Sequence, residues 1–305
     1  MEEKIIFETP QWLGIDEIHV IKPRCIFTNI KERTMLDILP NRNKDTVIQY
    51  LSKLPNKNRI QYVTMDMWQP YRDAVRQILP QAQIIVDKFH VVRMANDALE
   101  TVRKEIRSQL SAKERRILMH NRFILLKRKH DLDEREQLIL DTWVNNFEAL
   151  GKAYHAKESF FEIWDNPSHK VSPFTRYKAW ESKLPVEIHY AFNSLLKAVQ
   201  NWRNEIFAYF DHPITNAYTE SINSLIRVMN RLGRGYSFEA LRAKILFTEG
   251  LHKTKTPIYR KSDIYNHPFR DILPDILHMT SINQKILNFG IDIEMLMKKL
   301  QEEKL

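Results

Sequence analysis

A single cysteine, Cys25, in 305 residues excludes an internal disulfide framework and any zinc centre built on several thiolates. Six glycines and 13 prolines are too few for a turn-rich all-β protein. No apolar run approaches the ~20 residues that cross a bilayer. The opening MEEKIIFETP is too acidic and too poor in apolar residues for a secretory signal, so the expected compartment is the cytoplasm. Internal repeats and low-complexity segments are also lacking. What is there is an ordinary globular composition, 43% hydrophobic and 28% charged, long enough for one large domain or two smaller ones. The 47 Lys and Arg outnumber the 38 Asp and Glu, giving a net charge of +9 and a pI near 9.4. That excess points weakly to a polyanionic partner such as nucleic acid.

Three stretches differ in character. Up to about residue 90, WLGIDEIHV (12–20), RCIFTNI (24–30), TMLDIL (34–39), IQYVTMD (60–66) and QIIVD (83–87) read as strands. The second and third face each other across the turn Lys31-Glu32-Arg33. Helical spacing over 43–54 and 71–79 separates the later strands, an α/β pattern with a mixed sheet. From 88 to 210 the pattern is all helical. Ile188, Phe192, Leu195, Val199, Trp202, Ile206 and Tyr209 form one long seam, and Trp143, Phe147, Leu150 and Tyr154 a shorter one. Basic clusters occur here at Arg103-Lys104 with Arg107, at Arg115-Arg116 and at Lys127-Arg128-Lys129. Solvated helix faces account for most of them, a nucleic-acid track for a minority. Helices follow over 216–232 and 237–250, then a lysine-rich tail, 251–305, ending in a helical run at 291–299.

Three carboxylates stand out by position. Asp16 lies inside an apolar strand, where an unpaired charge is costly. Asp66 ends a strand, where α/β sheets gather ligand groups. On a helical wheel Glu220 shares a stripe with Asn216, Asn223, Arg227 and Arg231, opposite Ile222, Leu225, Ile226, Met229 and Leu232. A face of amides and guanidiniums around a glutamate suits phosphates. Carboxylates on separate elements suit Mg²⁺, a hard cation, and phosphodiester cleavage by two such ions. Each also has a plain structural reading: a paired strand carboxylate, a turn residue, a helix-surface charge. Asp87 and His90, three apart after the next strand, fit either a helix cap or an auxiliary site. Asp87 competes with Asp66 as second metal ligand.

LGIDE (13–17), VTMDMWQPYRDAV (63–75), LPQAQIIVDKFHVVR (79–93) and TNAYTESINSLIRVMNRLGRGYSFEALRAKIL (215–246) together resemble the DDE transposases of the ISL-three type of bacterial insertion sequences. The resemblance implies an RNase H-like fold, a five-stranded mixed sheet with flanking helices interrupted by an all-helical insertion. The expected divisions are a first part of the core over 1–110, the insertion over 111–210, the final core helices with Glu220 over 211–250, and a helical tail over 251–305. It further implies Asp16, Asp66 and Glu220 as the catalytic, metal-holding set for two Mg²⁺ or Mn²⁺ ions. Asp87 and His90 then match the Asp-x-x-His pair of similar transposases as auxiliary residues, and Asn223, Arg227 and Arg231 become DNA contacts. The partners implied are element-end and target DNA and further copies of the chain, as a homodimer or higher oligomer, with no membrane and no small-molecule substrate.

One departure bears on function. Family members carry a cysteine-rich zinc-binding segment and a helix-turn-helix ahead of the catalytic domain, whereas this sequence opens almost directly on the first catalytic strand. The expectation is an N-terminally truncated copy or split product, and the rival to a transposase is a non-catalytic, DNA-binding or dimerising fragment that inhibits a full-length relative.

Overall fold

The computed structural model describes residues 9–250, apart from 114, 117–121 and 168; the expected tail 251–305 lies outside the described residues. Three strands come first: β1 (Trp12–Val20), β2 (Lys22–Asn29) and β3 (Thr34–Ile38). They run antiparallel, and β3 pairs with β2 as the turn at Lys31-Glu32-Arg33 predicts. After α1 (Lys44–Lys53) comes β4 (Tyr62–Met65), and after α2 (Gln69–Ile78) comes β5 (Gln83–Val86). Both late strands lie parallel to β1, giving the order β3-β2-β1-β4-β5. Helical crossovers make that parallel pairing possible.

A long helix, α3 (Lys88–Gln109), leaves β5 directly. The helical stretch continues as α4 (Arg122–Leu126), α5 (Glu134–Asn146), α6 (Glu148–Asp165), α7 (Pro173–Ser182), α8 (His189–Asn201) and α9 (Arg203–Asp211). The chain then returns to the sheet with α10 (Ala217–Leu232) and α11 (Phe238–Glu249). This mixed five-stranded sheet with flanking helices is the architecture expected of an RNase H-like fold.

The two apolar seams are buried or half-buried along their lengths, yet each is broken once. Trp202, at φ −125° and ψ 26°, separates α8 from α9, and Phe147, at φ −127° and ψ 92°, separates α5 from α6. Apolar spacing reports which side is buried, and both helices of each pair bury the same seam, so the bend leaves no trace in the pattern. The Trp202 ring is held by the Arg72 guanidinium, stacked 3.9 Å above it.

Strand periodicity sorts the sheet into two faces. Leu13 and Ile15 of β1 pack with Val47 and Leu51 of α1 and with Tyr71 and Val75 of α2. Ile18 and Val20 face the other way, against Ile222 and Ile226 of α10 and Leu241 and Ile245 of α11. Arg242 of α11 fastens this layer through a bidentate bond to Asp37 of β3, at 2.7 and 3.0 Å.

Gly14 sits on that second face, where strand and helix approach most closely. A Cβ there would lie 2.6 Å from Thr219 Oγ1, 2.9 Å from Asn216 Oδ1 and closer still to Thr28 Oγ1. Gly14→Ala is therefore expected to cost about 1–3 kcal/mol by overpacking. Thermal unfolding checks this, and an unchanged Tm would contradict a tightly docked α10.

Candidate active site

Strand register brings the first two carboxylates together. Gly14 pairs with Thr64 across the parallel β1–β4 ladder, and two residues further along stand Asp16 and Asp66, on the face that meets α10. Asp87 follows β5, one strand further out, where its N–H donates to the Met65 carbonyl at 3.3 Å. All three gather at the C-terminal edge of the parallel strands.

Asp16 is 5% exposed. Its Oδ1 accepts from the Glu17 N–H at 2.7 Å, and its Oδ2 accepts from Asn223 Nδ2 at 2.7 Å. Burial, reinforced by the neighbouring Asp66 charge, pushes this carboxyl from 3.8 up to about 7.

Glu220 arrives from the first turn of α10. Its Oε1 lies 3.5 Å from His90 Nε2 and 3.9 Å from Arg93 Nη2. The same His90 Nε2 lies 2.7 Å from Asp66 Oδ1. Both of these atoms are buried, and neither has a hydrogen-bond alignment, so their contact is one of charge. Burial lowers the affinity of His90 for a proton, but Asp66, helped by Asp87, more than offsets it and raises the pKa above 6.5. The His90 ring thus bridges Asp66 and Glu220. His90→Ala is expected to slow any reaction of these carboxylates by about 10–100-fold, the usual effect of losing a partner that orients a ligand. His90→Ala retaining wild-type rates would rule out that positioning role.

Asp87 is fully buried, and both of its oxygens are engaged. Oδ1 accepts from the Phe89 N–H at 3.1 Å, capping α3, and Oδ2 accepts from the Asn216 N–H at 3.1 Å. One carboxylate thereby ties the start of α3 to the start of α10. Burial raises its pKa, while the Phe89 N–H bond, His90 and the Asn216 N–H bond act the other way. Ligand-type atoms of Asp87, His90 and Glu220 lie within 4.8 Å of one another, so Asp87 borders the cluster that His90 links to Asp66.

A buried polar network holds α10 on the sheet. Asn216 Oδ1 accepts from Thr64 Oγ1 at 3.2 Å and from Thr219 Oγ1 at 2.6 Å, and Asn216 Nδ2 donates to the Ile15 carbonyl at 3.3 Å. Thr219 and Thr28 hydroxyls meet at 2.7 Å. Asn216, Thr219, Thr28 and Thr64 are all fully buried. Sequence reasoning missed the three threonines; the available signal was a strand glycine facing small polar residues in the first turn of a helix.

The expected polar stripe on α10 therefore divides. Arg227 and Arg231 are exposed, as a DNA contact requires. Asn223, expected at a phosphate, is 4% exposed, and its Nδ2 donates to Asp16 Oδ2 and to the Glu17 carbonyl, an arrangement that holds a carboxylate in place. Leu232, placed on the apolar side, is 74% exposed at the last position of α10.

A family model described as Transposase, of the DDE ISL3 type, matches residues 13–245. The transposase for insertion sequence element IS1001 of Bordetella parapertussis is 26% identical over 236 residues, which cover 74% of this chain and 57% of that protein. The transposase for insertion sequence element IS1557 of Mycobacterium tuberculosis is 25% identical over 286 residues, covering 84% of this chain and 63% of that protein. The chain thus spans about three-fifths of the length of these relatives. Among the described residues, no helix is long and apolar enough to cross a membrane. With the family match running from β1 through α11 and including every carboxylate of the site, the chain belongs to the ISL3-type DDE transposase family.

Proposed function

We propose that this chain is the catalytic part of an insertion-sequence transposase, cutting DNA at element ends and joining the freed 3′-hydroxyl to target DNA with divalent metal ions. What supports the reading is the contact of His90 with both Asp66 and Glu220, beside Asp16, which Asn223 holds and whose pKa both of those carboxylates raise. The helices between α3 and α10 are then the insertion within the core.

The residues fit a hard cation. Asp66 Oδ1 is buried without a hydrogen-bond donor, and Asp16 is crowded enough by burial and by Asp66 to hold a proton near neutrality. A cation relieves both, displacing the proton. Asp16, Asp66 and Glu220 would hold Mg²⁺ or Mn²⁺, with two ions as the working number. When bound, such ions activate the attacking water or 3′-hydroxyl and stabilise the leaving oxygen.

The remaining work belongs to the chain. Asn223 and the Glu17 N–H fix both oxygens of Asp16 in orientation, each keeping a lone pair for a further partner. His90 contacts both Asp66 and Glu220, and Asp87 sets the relative position of α3 and α10, the helices that carry His90 and Glu220. Asp66 is the second catalytic aspartate in this reading, since its Oδ1 is buried without a hydrogen-bond partner while Asp87, fully buried, ties α3 to α10. Arg227 and Arg231 neutralise phosphates beyond the carboxylates.

The test uses purified protein, Mg²⁺ and duplex DNA bearing the sequences that flank the gene. Nicks ending in 3′-hydroxyls, followed by joint molecules with a second duplex, support the reading. Nicking without joint molecules would reduce the protein to a nuclease, and no metal-dependent product would contradict the proposal.

A further inference from the structure

Four cations meet where α3 ends, with no counter-charge among the described residues that line their hollow. Lys104, Arg107, Ser108, Ala112, Arg115 and Arg116 line a concavity of about 450 Å³, with no carboxylate among the described residues of its wall. No ion pair or side-chain hydrogen bond joins any of the four to another described residue. Several other basic groups of the helical stretch have carboxylate partners. Arg103 and Arg122 approach Glu100 at 2.7 and 3.2 Å, and Lys127 approaches Glu136 at 2.5 Å. Arg128 lies between Glu158 and Asp165, at 3.2 and 2.7 Å. A larger concavity, about 1420 Å³, includes Arg128 and Arg176, but Arg176 is already donating to the Asn166, Glu162 and Ile163 carbonyls. Cations with internal partners serve the fold. Four like charges held around one hollow repel each other and gain only from an external anion.

Helix α3 relates this hollow to the carboxylates. At 100° per residue, His90, Arg93, Lys104 and Arg107 fall within a stripe about 100° wide, opposite the buried Val91, Ala95, Ala98 and Val102. Asp97 is an exposed acid midway along it. The rise from His90 to Arg107 is about 26 Å. At 3.4 Å per base pair, that is about seven or eight pairs of duplex. We infer that Lys104, Arg107, Arg115 and Arg116 form a phosphate-binding subsite for the backbone of the duplex whose cut end lies at Asp16, Asp66 and Glu220. The inference rests on the proposed function and adds to it where the flank of the DNA runs. Three of the four cations are arginines, whose forked donors match phosphate oxygens.

Binding of a short duplex of arbitrary sequence, measured in EDTA between 50 and 200 mM salt, tests this separately from cleavage. For the quadruple variant K104A/R107A/R115A/R116A, the slope of log affinity against log salt should fall by at least about 2, each phosphate contact contributing about 0.9. Affinity at 100 mM salt should fall more than about 30-fold. The charge-keeping variant R107K/R115K/R116K should retain most of the slope, and an unchanged melting temperature guards against misfolding. Removing the paired Lys127, Lys152 and Lys178 together should alter the slope by less than about 1. The inference is overturned if the wild type binds and the quadruple variant matches it, or if the paired-lysine control loses as much. It is also overturned if the quadruple variant loses binding to poly-glutamate but not to duplex, which would mark an acidic protein segment as the occupant. A wild-type protein that binds no duplex would overturn the proposed function along with it.

Discussion

Glu220→Gln and Asp66→Asn are each expected to lower metal-dependent DNA cleavage by roughly 10³-fold, since a lost metal ligand removes several kcal/mol of transition-state stabilisation. The fold should persist, because neither carboxylate carries packing. Glu220 and Asp66 side chains are 38% and 28% exposed, and their recorded partners are His90 and Arg93. Affinity for duplex DNA should change little. Asp87→Asn behaves differently: it weakens the α3 cap and the Asn216 N–H bond, costing about 1–2 kcal/mol of stability. Cleavage by folded Asp87→Asn protein should stay within about tenfold of wild type. The comparison separates the two aspartates, which stand at equivalent ends of adjacent strands. An active Asp66→Asn protein beside an inactive, folded Asp87→Asn protein would reverse their roles.

The second large effect concerns pH and metal together. Asp16 has a folded pKa of about 7 against an ordinary 3.8, so the folded state holds this proton more tightly than the unfolded one. Its contribution to stability is full below about pH 4 and is lost as pH rises through about 7. His90, raised above 6.5, shifts stability in the same direction, its contribution being full below 6.5 and lost above its folded pKa. Without divalent metal the protein should therefore be less stable at pH 8 than at pH 5. Asp16→Asn removes its own share of that loss and should gain on the order of 2 kcal/mol over wild type at pH 8. For a fold of this size that is roughly 4–8 °C in Tm. Saturating Mg²⁺ or Mn²⁺ should raise the Tm of the wild type at pH 8 and leave Asp16→Asn nearly unmoved, because the ion binds only the folded carboxylates. Superimposable pH profiles for the two proteins, with equal metal responses, would show that Asp16 carries no such strain.

Much of this arrangement was legible in the sequence, and the illegible part has a physical cause. The five strands were readable because each is a short run of β-branched and aromatic residues between turn signals, and Asp16 stood out as a charge within one of them. The placement of Glu220 followed from helical spacing alone. The depth of α10 did not. Its polar stripe looks uniform on a wheel, yet Asn216 and Asn223 are buried against a sheet whose glycine and threonines admit the helix, while Arg227 and Arg231 are exposed. Asn223 therefore read as a phosphate contact, when it holds Asp16 in place. The breaks at Phe147 and Trp202 were hidden because the burial pattern is the same on both sides of each. The commitment of Asp87 to Asn216 joins residues 129 apart in sequence, a pairing that no local spacing encodes. Which of the basic clusters is unpaired was equally hidden, since the neutralising acids Glu158 and Asp165 lie on α6, beyond the loop and helix that follow Arg128.

Iron-directed backbone cleavage tests the central claim most directly. Fe²⁺ with ascorbate, bound in place of Mg²⁺, generates hydroxyl radicals that cut the chain beside the ion. Cuts near residues 16, 66 and 220, suppressed by excess Mg²⁺ and lost in Glu220→Gln, are the predicted result. Cuts confined to other acidic positions such as Glu158, or a pattern unaffected by Mg²⁺, would contradict a divalent-metal site built from these three carboxylates.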